Sequence, residues 1–347
     1  MGKVTTKDIA KVAGVSRTTV SYVLNNMDKN ISQETRERVL RVAKELDYKP
    51  NPYAVGLKTK ISKTIALVIR SISDPSLTAV IRGIQNASSF NKYSMILHCL
   101  DVKNRTLKNS IELLCERAID GIILAYPDKK EQSIVRKLVV DRRIPTVIIG
   151  TKYPNLRVNR VSVDIYDSGL QMAEYMYGLG HRNIAIAWNH MTLNRTERIH
   201  GVVDFCERMK CRCFPIELQQ DTDKSQGFQE IEYDFGKTVA CHIVKKKLPV
   251  TSILMMSPWS AIGVINALRD LGKGVPEDYS VAAFAGYSVS QFGDPKLTMN
   301  YQMHFEIGRI ACETLLSLLT TDNRDIIENR IFQSKIIVGE TTREIRL

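Results

Sequence analysis

The side chains best placed to do chemistry stand close to the start of the chain. From Ser16 to Asn25, helical spacing puts Val20, Val23 and Leu24 on one face and Arg17, Thr18, Ser21, Tyr22 and Asn25 on the other. A solvated helix face usually mixes Glu with Lys. This one carries donors, acceptors and an aromatic ring, the set that meets base edges and phosphates when a helix lies in a major groove. A three-helix bundle with no nucleic-acid role is the plain alternative.

Short elements must hold that face. Thr5 and Thr6 can cap a first helix in which Ile9, Val12 and Ala13 fall on one side, and Ala13-Gly14-Val15 supplies a tight turn. Ser16 then caps the second helix, and Ser32 a third with Val39, Val42, Ala43 and Leu46 inward. Residues 1–60 hold twelve Lys or Arg against six Asp or Glu, a surplus of six out of the net +12 of the 347-residue chain. A compact basic unit suits a polyanion partner. After Tyr48, Asn51 is a good N-cap and Pro52 suits a first helical turn, but only about two turns fit before Thr59, too few for a stable isolated helix. Gly56 weakens it by a further ~1 kcal/mol relative to Ala, so this segment orders only when something holds it.

The run Thr6-Lys7-Asp8-Ile9-Ala10-Lys11-Val12-Ala13-Gly14-Val15-Ser16, continued by Thr18-Thr19-Val20-Ser21 and Asn25, resembles the headpiece signature of the lactose/galactose repressor family of bacterial transcription regulators. The resemblance implies a helix-turn-helix DNA-binding headpiece over 1–50 and a hinge helix over 51–60, with a leucine, here Leu57, wedged into a base step of the minor groove. It implies DNA contacts from Thr6, Lys7, Ser16, Arg17, Thr18, Thr19, Ser21, Tyr22, Asn25, Tyr48, Asn51, Leu57 and Lys58. Several members carry Arg where this chain has Tyr22, so the operator should differ there; Arg17 either takes over a guanine contact or holds a phosphate. A repressor acting as a homodimer on a near-palindromic operator is expected.

From Ile65 onward apolar strands alternate with amphipathic helices. Strands are expected at 65–69, 95–99, 121–124, 146–149, 184–188, 253–256 and 281–284, with helices at 77–90, 168–179 and 261–271 among those between them. The fold class expected is an α/β core of two doubly wound parallel-sheet lobes, plus the small all-α headpiece. The core spans 61–347, with lobe 1 at about 61–160 and 293–322 and lobe 2 at about 161–292 and 323–340. This arrangement resembles periplasmic sugar-binding proteins, and the family resemblance extends to it through Gly180-His181-Arg182, Arg198 with Gly201, Val275-Pro276-Glu277-Asp278, and Pro295 with Leu297-Thr298. No glycine fingerprint follows the first strand, and neither a P-loop nor HExxH occurs, so no enzyme and no cofactor are expected. His181 reads as structural. The seven scattered cysteines lack zinc-site spacing and read as reduced thiols, with no metal site expected.

The cleft between the lobes departs from its relatives. The resemblance assigns effector contacts to Ser73, Asp74, Leu77, Gly150, Arg198, Ile231, Ser257 and Ala285. Sugar- or base-binding members carry aromatics after an Asn-Pro where Ser76-Leu77 follows Asp74-Pro75 here. Gly150 replaces an acidic residue, Ser257-Pro258 an Asn-Asp pair and Ala285 an Asp, leaving Arg198 as the polar anchor. An ordinary neutral sugar is therefore not expected, since each unpaired buried hydroxyl costs ~1–3 kcal/mol. Arg198 then meets an anionic or less hydroxylated ligand, or pairs with a neighbouring carboxylate. A non-sugar anion, an atypical sugar or sugar phosphate, no small effector, and a corepressor protein all stay open. With neither a secretory signal nor an apolar run of ~18 residues, a cytoplasmic protein without membrane contact is expected. Glu340 to Leu347 is too short for a heptad coiled coil, which favours a dimer over a tetramer.

Overall fold

A computed structural model describes residues 4–25, 27, 30–48, 61–72, 75–100, 106–150, 153, 155–189, 193–219, 227–286, 293–320 and 327–345. The chain divides into two units, Met1–Ser62 and Lys63–Leu347.

In the first unit, α1 (Thr6–Ala13), α2 (Arg17–Leu24) and α3 (Gln33–Glu45) surround one small core. The Asp8 carboxylate accepts from the Thr5 backbone N–H at 2.8 Å and hydroxyl at 2.7 Å, which fixes the start of α1 and lowers the Asp8 pKa. Gly14 ends that helix at φ +66, a left-handed conformation that costs glycine little. Ser16 and Ser32 cap α2 and α3 by accepting from Thr19 N at 3.0 Å and Thr35 N at 3.3 Å. Val20, Val23, Val39, Val42 and Ala43 are buried as the spacing requires. Val12 is not: it is 59% exposed, and Ala10 joins Ile9 and Ala13 inside. Successive helical residues turn by about 100°, so an inward arc spanning Ile9, Ala13 and Ala10 leaves Val12 facing water.

The second unit is two six-stranded sheets with helices over them. Its elements are β1 (Thr64–Ile69), α4 (Pro75–Phe90), β2 (Ser94–Cys99), α5 (Leu107–Glu116), β3 (Gly121–Ala125), α6 (Gln132–Arg136) and β4 (Thr146–Ile149). Then follow β5 (Asn159–Val163), α7 (Ile165–Gly178), β6 (Asn183–Trp188), α8 (Leu193–Arg208), β7 (Arg212–Glu217), α9 (Phe228–Lys245) and β8 (Ser252–Met255). The chain continues through α10 (Pro258–Asp270), β9 (Ser280–Gly286), β10 (Thr298–Tyr301), α11 (His304–Thr320), β11 (Asn329–Phe332) and β12 (Lys335–Ile337). The sheet orders are β11-β5-β4-β3-β1-β2 and β12-β10-β9-β8-β6-β7. All described pairings are parallel except β10 with β12. Central strands such as Thr64–Ile69 and Gly121–Ala125 are apolar along nearly their whole length because helices cover both faces.

The chain passes between lobes after β5, between β10 and α11, and between β11 and β12. These positions correct the expected lobe limits: β10 pairs in the second sheet although it lies within 293–322, and β11 pairs in the first although it lies beyond 322. Neither strand carries the apolar run by which the others are read, and β11 is an exposed edge. Asn300, in β10 just before the second crossing, donates to Ser334 Oγ on the third at 2.8 Å.

Three helix pairs set the geometry at the carboxyl ends of the strands: α4 with α11, α7 with α8, and α9 with α10. Each crosses at paired glycines, Gly83 and Gly308, Gly169 and Gly201, Gly236 and Gly263. A Cβ on any of these six would collide with a backbone carbonyl of the partner helix, so the backbones approach more closely than side chains would permit. No described helix is long and apolar enough to cross a membrane.

Candidate functional site

The headpiece face is anchored from behind. Val20 and Val23 bury the inner side of α2, and its first turn presents Arg17 and Thr18, both exposed. Of the other expected contacts, Lys7 is exposed on α1, while Thr6, Thr19, Ser21, Tyr22 and Tyr48 are half-buried. The Thr19 hydroxyl lies 2.9 Å from Ser16 Oγ, so both belong to the cap of α2. Asn25 closes the other end, its amide donating to the Ser21 carbonyl at 2.6 Å and hydroxyl at 3.3 Å. On α2, then, Arg17 and Thr18 are exposed at the first turn, and Asn25 is bonded back to Ser21 at the other end. Asn51, Leu57 and Lys58 lie outside the described residues.

The core site gathers at the carboxyl ends of the second sheet. Arg195 and Arg198 stand one turn apart near the start of α8, whose position is fixed by the Gly169–Gly201 contact. Glu232 on α9 is 1% exposed and accepts from Arg195 Nη2 at 2.7 Å and from Ser257 Oγ at 2.7 Å. The Asn189 amide donates to Glu232 at 3.4 Å, and Asn189 Oδ1 accepts from Arg195. Ser257 is also the N-cap of α10, accepting from Ser260 N at 3.2 Å. This is a closed network in which one carboxylate balances one guanidinium, the condition under which a buried ion pair is tolerated.

Arg198 is different. It is 6% exposed, and among the described residues no carboxylate lies within ion-pair distance of it and its Nε has no hydrogen-bond partner. Its guanidinium carbon sits 5.4 Å from the centre of the Phe284 ring. Burial, then the positive charge of Arg195, lower its pKa to about 10. Glu232, the carboxylate of the described network, is held by Arg195.

The remaining expected positions divide. Gly150 ends β4 at φ +94, and a side chain there would run into the Tyr126 ring, so the aromatic occupies the room an acidic residue would need. Leu77 is 4% exposed and belongs to the lobe 1 core, which corrects its expected place in the cleft: on α4 it falls on the inward stripe with Val80, Ile84 and Ala87. Ile231 is half-buried; its neighbour Glu232 is the residue that reaches the network. Ser73, Asp74 and the Ala285 side chain lie outside the described residues. His181, 1% exposed, meets Thr251 Oγ1 at 2.9 Å, and burial lowers its pKa to about 4.

Sequence reasoning missed Glu232, His304, Gln302 and Tyr126. Glu232 shares a helical face with the buried Phe235, Gly236 and Val239, and His304 one with Ile307, Ala311 and Leu315. A polar residue in an apolar stripe was the available signal. His304, at the first turn of α11, is 4% exposed; neither ring nitrogen has a hydrogen-bond partner among the described residues. Burial, then the charge of Arg198, lower its pKa to about 4, so its ring is neutral near pH 7. None of the seven cysteines is in a disulfide, and among the described residues no group of three or more His, Cys, Asp or Glu could hold a metal ion.

A helix-turn-helix unit joined to a core of two parallel-sheet lobes defines a class: DNA-binding regulators built on a periplasmic-binding-protein-like fold. Residues 5–51 match the model described as bacterial regulatory proteins, lacI family, and residues 173–342 match the periplasmic binding protein-like domain. The transcriptional repressor CytR of Escherichia coli (strain K12) is 27% identical over 343 residues, covering 98% of this chain and 97% of its own. The transcriptional regulator RegA of Clostridium saccharobutylicum is 29% identical over 339 residues, covering 97% and 98%. The lac repressor dimer bound to operator and the anti-inducer ONPF superposes with a TM-score of 0.84 at 22% identity, over 99% of this chain and 100% of that one. The chain belongs to the lactose/galactose repressor family and is a DNA-binding transcription regulator with a ligand-binding core.

Proposed function

We propose that the chain represses transcription as a homodimer, each protomer reading one half-site of a near-palindromic operator through a headpiece of residues 1–50 and a hinge over 51–60. What carries the reading is the first turn of α2, where Arg17 and Thr18 project from a helix whose other face is locked into the core by Val20 and Val23. Thr6, Lys7, Ser16, Thr19 and Tyr48 flank that turn for phosphates and sugars, Ser21, Tyr22 and Asn25 follow it along the groove, and Asn51, Leu57 and Lys58 serve the minor groove. The core acts as a sensor rather than an enzyme: a ligand that prefers one lobe arrangement shifts DNA affinity by its differential binding. That ligand is not an ordinary neutral sugar, because Glu232, the carboxylate in the described network, is already engaged by Arg195 and Ser257.

The test is selection of bound sequences from random duplex DNA by the full-length protein at near-physiological salt. A palindrome with a flexible central step is expected, and its absence would count against the reading. Leu57→Ala should weaken operator binding far more than nonspecific binding; equal losses would remove the wedge.

A further inference from the structure

Among the described residues, the unpartnered buried side-chain atoms on and near the second sheet are mostly donors, with Asn300 Oδ1 an acceptor. Arg198 Nε, Gln302 Nε2 and the indole nitrogens of Trp188 and Trp259 are buried donors without a hydrogen-bond partner among the described residues, and His304 is unpartnered at both nitrogens. The carboxylate described in the neighbourhood, Glu232, is already engaged by Arg195, Ser257 and Asn189. Unmet buried donors are costly, and a buried guanidinium without a counterion more so. One acceptor-rich, negatively charged group against Arg198 would answer its guanidinium and, beside it, a ring nitrogen of His304 together. A neutral polyol would not, since each of its hydroxyls also donates and so needs an acceptor.

The groups also come from two lobes. Arg198 is carried by α8, which packs on α7 over the second sheet; His304 opens α11, which packs on α4 over the first. Gln302 lies on the crossing between them, its carbonyl accepting from His304 N at 2.8 Å. Building on the reading that the interlobe cleft takes the effector, we propose that Arg198, His304 and Gln302 form an oxyanion subsite. It seats the carboxylate or phosphate of a small metabolite between the lobes, and its occupation draws a proton onto His304.

The proton follows from the charges present. The charged group acting on His304 from another element is Arg198 of α8, with Arg195 and Tyr126 beside it in turn. On its own helix Glu306 is engaged by Arg309 at 2.8 Å. An anion against Arg198 offsets the repulsion and supplies an acceptor for an imidazolium N–H, so His304 binds protons more tightly in the complex than without ligand. Affinity for the anion then rises as pH falls from the bound-state pKa toward about 4, by at most about tenfold per pH unit for one proton.

The experiment is titration calorimetry of the full-length protein with four probes: glucose 6-phosphate, inorganic phosphate, gluconate and glucose. Saturable binding of the two phosphates without gluconate assigns the subsite to a phosphate, and binding of gluconate assigns it to a carboxylate; either supports the proposal. Arg198→Gln should weaken the bound anion about tenfold or more, while its thermal midpoint and its DNA binding without ligand show that it still folds. Proton uptake is read from binding heats in two buffers of different ionisation enthalpy. Wild type minus His304→Gln cancels any proton taken up by the probe. Glucose binding as tightly as the anions, no anion binding at all, or full affinity in Arg198→Gln would overturn the subsite. Equal proton uptake in wild type and His304→Gln would overturn the role of His304. These isotherms need no DNA, so a failed operator selection leaves them intact, and their failure leaves the headpiece reading intact.

Discussion

Glu232→Gln removes one charge from the buried network and keeps its shape. Gln retains an oxygen for Ser257, so the change isolates the ion pair with Arg195, which is 2.7 Å long with side chains 10% and 1% exposed. At that burial the surviving guanidinium is not rescued by water, and removing one partner of such a pair costs about 3–5 kcal/mol. The upper half of that range is expected, because Arg195 already acts on Arg198 and the mutant leaves two buried guanidiniums without a carboxylate among the described residues. The chain's two tryptophans, Trp188 and Trp259, both lie in lobe 2, so urea unfolding followed by tryptophan fluorescence reports on the affected lobe. The unfolding midpoint should fall with little change in slope. Adding Arg195→Met should recover a large part of the loss, giving a coupling energy of about 2 kcal/mol or more. A cost below about 1 kcal/mol, or additive single and double mutants, would show that the network does not balance charge as argued.

Three further outcomes are expected. Gly308→Ala drives a Cβ into the Val80 carbonyl and should cost about 1–3 kcal/mol, whereas Gly178→Ala, with open space at its Cβ, should be neutral or stabilising by up to about 1 kcal/mol; urea midpoints that move alike would refute the close helix crossing. His181 and His304 have folded pKa values near 4, below the ordinary 6.5, so the unfolded chain binds more protons: their contribution to stability is complete above about pH 6.5 and is lost as pH falls toward 4, with a flatter profile in His304→Gln. If Arg17 holds a phosphate, Arg17→Ala should lower the slope of log K against log salt by about one with the motif unchanged; if it reads guanine, one position per half-site should relax at about 1–3 kcal/mol, and neither effect would remove it from the interface.

What the sequence makes legible follows what burial writes into it. Strands β1, β3, β4 and β6 are apolar runs because both their faces are covered, and they could be placed to within a residue or two. Strands β10, β11 and β12 mix polar with apolar residues, carry no period, and decide where the chain changes lobes. The caps at Thr5, Ser16 and Ser32 were legible because capping is local chemistry; Val12 was misplaced because an eight-residue helix offers too few apolar positions to fix its phase. In the cleft, comparing positions one by one with relatives finds losses, such as Gly150 and Ser257, but not replacements arriving from elsewhere. The carboxylate comes from α9 and the aromatic from Tyr126, both brought in by tertiary packing that no local pattern encodes.

The oxyanion subsite also sets a requirement on what can regulate the protein. A hundredfold change in DNA affinity needs a ligand that prefers one lobe arrangement over the other by about 2.7 kcal/mol. A charge-assisted hydrogen bond contributes about 1.5–3 kcal/mol, so one such contact at the upper end of that range, made in one arrangement and lost in the other, meets the requirement. Arg198 and His304 belong to different lobes, and an anion touching both loses one of them when the lobes part. An anion that reaches Arg198 alone keeps its contact in either arrangement and has no preference to transmit. Affinity and regulation should therefore separate in His304→Gln: the anion still binds through Arg198, more weakly, and its effect on operator binding shrinks more than its affinity does.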